Sequence, residues 1–113
     1  MDSRGTSDEA TSAVELVQRF LRGQNLEQLG RMEEAVQLYE QAVAARFDSP
    51  GPYDRLIYVY SDRAQHAEVV RIIERALEHV HTHHDKRRWY EDMRSSASAA
   101  MKKVPKAAPK RPG

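Results

Sequence analysis

Shifted by 34 residues, the chain matches itself. Ala35 falls on Val69, Val36 on Val70, Leu38 on Ile72, Tyr39 on Ile73, Glu40 on Glu74, Ala42 on Ala76 and Val43 on Leu77, while Leu26 falls on Tyr60 and Gly30 on Ala64. A period of this length belongs to stacked supersecondary units, none of which can bury its apolar face alone. The chain must therefore fold as paired elements that repeat.

Those elements read as helices. Thr6-Ser7-Asp8-Glu9 fits a capping box, a hydroxyl followed three residues later by a carboxylate, and predicts a helix start. Ala13, Leu16, Val17, Phe20 and Leu21 then recur at three- and four-residue steps up to Leu29, and Gly30 is suited to the left-handed turn after a helix. A second helix is expected over 31–46, burying Met32, Ala35, Val36, Tyr39, Ala42 and Val43. Asp48-Ser49-Pro50-Gly51-Pro52 breaks the chain, because proline cannot continue a preceding helix but suits the first turn of the next. The third helix is expected over 52–62 with Tyr53, Leu56, Ile57 and Tyr60 inward. The fourth is expected over 65–81 with Val69, Val70, Ile73, Ala76, Leu77 and Val80 inward. A fifth is expected from Asp85 to about 102, with Trp89, Met93, Ala97, Ala100 and Met101 on one side.

Period and pattern together resemble the tetratricopeptide repeat family. The stretch from Leu29 to Val43 is close to that family's central signature, with Ala35 and Ala42 at its small positions, Tyr39 at its aromatic one, and Gly23 where its two helices approach. Arg19 and Arg22 stand where the family prefers tryptophan and leucine, and Val69 and Ile73 replace an alanine and an aromatic. The resemblance implies an all-α, right-handed superhelix of about five helices. A short N-terminus over 1–8 would precede a domain over 9–101: repeat one over 16–49, repeat two over 50–83 and a capping helix over 85–101. A disordered basic tail over 102–113 would follow. It also implies a concave groove lined by Val17, Phe20, Leu21 and Gln24 from the first unit and by Asp54, Arg55, Tyr58 and Ser61 from the second. The family's carboxylate clamp needs groove lysines, and the repeats contain none.

Two repeats are few for a solenoid, which usually needs about three to bury a continuous core. Some cover over the apolar side of the first helix is therefore expected: a partner's peptide or helix, a second copy forming a homodimer, or the chain's own N-terminal segment. The leading expectation is a non-catalytic adaptor, with a self-associating scaffold or a nucleic-acid-associated protein as alternatives.

Charge supplies the last alternative. Net charge is +1, yet all five lysines lie after residue 85, and residues 85–113 hold nine basic side chains against three acidic ones. Lys102, Lys103, Lys106, Lys110 and Arg111 are the candidate anion contacts, although the tail carries no aromatic ring for stacking bases. His79 and His83, four apart, are weak metal candidates beside His81 and His84. The competing reading is a solvated helix end, where histidine suits the negative pole of the dipole. The absence of cysteine excludes disulfides, thiolate zinc sites and cysteine nucleophiles. Ser95, Ser96 and Ser98 have no histidine–carboxylate arrangement nearby, and there is no glycine-rich phosphate loop, so neither an enzyme nor a cofactor is expected. No apolar run approaches the roughly 18 residues of a membrane span, and the first residues lack a signal-peptide pattern, which together predict a cytoplasmic protein.

Overall fold

A computed structural model describes residues 12–81 and 84–107. These form five helices and no strand: α1 (Ala13–Gln28), α2 (Met32–Ala44), α3 (Pro50–Asp62), α4 (His66–His79) and α5 (His84–Ala107). The all-α expectation holds. The chain divides into two compact units, Met1–Phe47 and Asp48–Gly113.

Unit 1 is the α1–α2 hairpin. Among the described residues α1 starts at a capping box six residues beyond the expected one. Ser12 Oγ accepts from the Glu15 amide at 3.1 Å, and the Ser12 amide donates to Glu15 Oε1 at 3.2 Å. The box anticipated at Thr6–Glu9 lies outside the described residues. Leu16, Gly23 and Leu26 are the buried positions of α1, and Ala35, Val36, Tyr39, Ala42 and Val43 those of α2. Gly23 is glycine for a steric reason: a Cβ there would sit 2.6 Å from the Tyr39 ring. Tyr39 is fully buried, and its hydroxyl donates to Glu27 on the facing helix. Met32, expected inside, is only half-buried, because a residue at the first position of a helix has just one side covered.

Unit 2 holds α3, α4 and α5. Proline begins α3, where the missing N–H costs no helical bond. Pro52, Tyr53, Leu56, Ile57, Val59 and Tyr60 are buried on α3, and Val69, Ile72, Ile73 and Ala76 on α4. Asp48 ties the two ends of this segment, its Oδ1 accepting the backbone N–H of His81 at 2.9 Å. On α5 the deeply buried side chains are Tyr90 and Ala97, and Met101 is exposed, so the inward face is rotated from the one expected through Trp89 and Met101. Val70 and Leu77 are half-buried rather than inside, each lying on the edge of the α4 stripe. α5 runs to Ala107, past the expected start of the tail at 102, since Ala100 to Lys103 are good helix formers. Residues 108–113 lie outside the described residues.

The turns after α1 and α3 close with the same backbone hydrogen bonds. After α1, Leu29 N–H bonds Asn25 O, Gly30 N–H bonds Glu27 O, and Arg31 N–H bonds Leu26 O. After α3 the same three bonds run from Arg63 to Val59, Ala64 to Ser61 and Gln65 to Tyr60. This is the Schellman closure, which requires one left-handed residue. Gly30 supplies it at φ 80°, and Ala64 occupies the same slot at φ 56°. Arg46, at φ 63°, closes α2 in the same way through Arg46 N–H to Val43 O and Phe47 N–H to Ala42 O.

Two substitutions follow with opposite signs. Ala64→Gly removes the left-handed penalty and raises unfolding free energy by about 1 kcal/mol. Gly23→Ala drives a methyl into Tyr39 and lowers it by about 1–3 kcal/mol. Urea denaturation of the full chain reads both; an Ala64→Gly variant less stable than the parent would contradict the turn assignment.

Candidate functional site

On unit 1 the candidate positions all lie on α1. Val17 and Leu21 are 42% and 54% exposed, and Val14, which sequence reasoning passed over, is 65% exposed. The three sit at i, i+3 and i+7, so they form one aliphatic stripe on the side of α1 away from Leu16, Gly23 and Leu26. That spacing was readable from the sequence. Phe20 belongs to the hairpin more than to this stripe. It is half-buried, its ring 5.8 Å from that of Tyr39 at an angle of 48°. Gln24 is also half-buried, one turn along.

On unit 2 the candidates lie on α3, and α5 changes what they can do. Asp54 is occupied at both oxygens: Tyr90 Oη donates to Oδ1 at 2.9 Å, and Lys86 Nζ pairs with Oδ2 at 2.9 Å. The same ammonium lies 3.9 Å from the centre of the Trp89 ring and 5.5 Å from that of Tyr90. Sequence alone could not pair Asp54 with residues more than thirty positions away. Tyr58 is exposed, with its ring 6.2 Å from Trp89 and the Arg55 guanidinium 5.5 Å above it. Ser61 faces elsewhere, at the rim of an apolar hollow of about 130 Å³ lined also by His66, Val69, Met93, Ala97 and Ala100. A larger cleft of about 430 Å³ lies along α4 and α5, lined by Glu74, Glu78 and Glu91 with Arg75, Arg87 and Arg94. Arg75 is paired with Glu78 at 2.8 Å and Arg87 with Glu91 at 3.5 Å, so this surface largely satisfies its own charges.

Of the metal candidates, His79 is half-buried at the end of α4, its Nε2 3.7 Å from Glu78 Oε1, and His83 lies outside the described residues. Among the described residues no group of three or more histidine or carboxylate side chains could hold a metal ion. Of the anion candidates, Lys102 is exposed, Lys103 and Lys106 stand in the last turns of α5, and Lys110 and Arg111 lie outside the described residues. No helix among the described residues is long and apolar enough to cross a membrane.

Two buried tyrosines govern the response to alkali. Burial, reinforced by the negative charge of Asp48, pushes the Tyr53 phenol well above its ordinary value of 10.0. Burial also raises Tyr90, helped by the charge of Asp54 and by the hydrogen bond to it, with Tyr53 adding a smaller push. Above pH 10 an unfolded chain therefore releases protons that the folded one retains, so stability is full below that value and falls as pH rises. Denaturation midpoints should drop steadily above pH 10, and Tyr53→Phe should flatten the drop. An unchanged slope in that variant would refute the linkage. No known family model matches this chain, nor does any curated protein or solved structure.

Proposed function

We propose that the chain is a non-catalytic, cytoplasmic interaction module of the tetratricopeptide kind, which binds a peptide or helix of a partner protein along the first helix of its first hairpin. The observation that carries this reading is the stripe of Val14, Val17 and Leu21, three large aliphatic side chains left in water on consecutive turns of α1. Apolar side chains grouped in this way mark a surface that is covered in use. The spacing suits a helix laid alongside, whose own apolar residues would repeat at three and four. The 34-residue recurrence of the hairpin turn supports the family reading, since it is the backbone counterpart of the sequence period. Catalysis finds no support in the grouping of side chains: Ser95 and Ser96 are exposed on α5, and Asp54 is engaged by Lys86 and Tyr90.

Leu21→Asp is the decisive substitution, because Leu21 is exposed whereas Phe20 packs on Tyr39. Helical content by circular dichroism should be unchanged. Recovery of a specific partner after crosslinking in cells should fall at least tenfold, as expected when an anchor worth about 1.4 kcal/mol or more is lost. Light scattering on the parent and the variant separates the occupants. A parent dimer that Leu21→Asp makes monomeric would show that a second copy is the partner. Equal partner recovery and equal mass for both chains would reject the surface.

A further inference from the structure

The charges of α1 narrow what can cover its aliphatic stripe. The helix carries two carboxylates and two guanidiniums. Both carboxylates are engaged within the hairpin: Glu15 accepts the Ser12 amide in the capping box, and Glu27 accepts the Tyr39 hydroxyl. The guanidiniums are not. Among the described residues neither Arg19 nor Arg22 has a carboxylate partner, Arg22 being exposed and Arg19 half-buried. Three apart, they share one flank of the helix, next around from Gln18. α1 therefore presents Val14, Val17 and Leu21 in water together with unmatched positive charge.

Two occupants fit this poorly. Residues 1–11 hold one large apolar side chain, Met1, too little to cover three aliphatic residues. A second copy laying its own α1 here would add two more arginines, while its carboxylates are spent on the same internal bonds, so like charges would meet without compensation. We propose that the occupant is an acidic amphipathic helix of another protein. Its leucine-type residues, at three- and four-residue steps, seat on Val14, Val17 and Leu21, and its glutamates or aspartates face Arg22 and Arg19. An arginine stem lies along apolar surface while its guanidinium reaches out to a neighbouring carboxylate, which it takes in a two-pronged grip. This inference rests on the reading of α1 as the binding surface and adds the charge that the surface selects. The selection is local. Unit 1 as a whole has eight acidic residues and five basic ones, so diffuse attraction would favour a basic helix, and only contact with the arginines favours an acidic one.

α1 has 16 residues and is about 24 Å long, so a helical peptide of about twenty residues spans it. The test uses two such peptides, fluorescently labelled, with leucine at the same three- and four-residue steps. One carries glutamate at the flanking positions and the other lysine. Anisotropy titration with the full chain at low salt should give the glutamate peptide about tenfold higher affinity, a gap that closes as salt is added. Arg22→Glu should lose that preference and, because Arg22 is exposed, keep its helical content by circular dichroism. Equal affinity for the two peptides, an unchanged preference in Arg22→Glu, or no binding of either peptide would overturn the proposal. So would a parent dimer that Leu21→Asp makes monomeric, since the stripe would then belong to a second copy. Leu21→Asp also separates the two readings. If both peptides bind the parent equally and the variant not at all, the stripe binds helices without charge selection, and only this inference falls. If both bind the variant as they bind the parent, the stripe is not the binding surface and both readings fall.

Discussion

Two helices joined by a three-residue turn can pack against each other only if the chain reverses within that turn, and the reversal needs one residue with positive φ. Gly30 meets the requirement after α1, and Ala64 meets it after α3. The three closing hydrogen bonds are the same at both places, so the following helices start at equivalent positions, Met32 and His66. Everything else in each hairpin inherits this register. It decides that Leu26 and Gly23 look toward α2, that Tyr39 can lie against Gly23, and that the opposite side of α1 stays in water. Alanine in the second turn costs about 1–2 kcal/mol relative to a relaxed backbone, which the apolar burial of α3 and α4 outweighs.

Unit 2 solves a different problem. α5 has no following helix to complete a third hairpin among the described residues, yet it is held on both neighbours. Apolar contact is supplied by Ala97 and the ring of Tyr90. Polar contact to α3 runs through Asp54, whose two oxygens receive the Tyr90 hydroxyl and the Lys86 ammonium. A half-buried carboxylate with one partner would sit short of its hydrogen-bonding capacity; with two it is better satisfied, and Lys86 is additionally braced on Trp89. The same clasp leaves Tyr58 beside Trp89, so a stabilising contact and a candidate recognition surface share their residues.

The candidate surfaces differ in how visible they were beforehand. Val17 and Leu21 could be named from helical spacing alone, because a residue opposite the packed stripe of an amphipathic helix must face outward. Phe20 shows the limit of that argument. It shares the spacing, but its ring is large enough to bend back toward Tyr39 and is only half-exposed. Asp54 shows another limit. Its position on α3 was predictable, whereas its engagement by Lys86 and Tyr90 depends on how α5 lies against α3.

The order of residues by itself determined the number and kind of elements, their period and the glycine at the first turn. All of these follow from interactions within a few residues or from a periodicity read along one chain. Only the tertiary structure decided which face of α5 goes inward, which carboxylate loses its freedom and which tyrosine stays in water. Those outcomes depend on the rotation of one helix about its axis relative to its neighbours. A 100° step per residue makes that rotation sensitive to a single position, and a mixed surface such as Lys86-Arg87-Arg88-Trp89-Tyr90 offers several faces of similar local merit. Tyr90 prevailed over Trp89 because its hydroxyl finds Asp54 when its ring is buried.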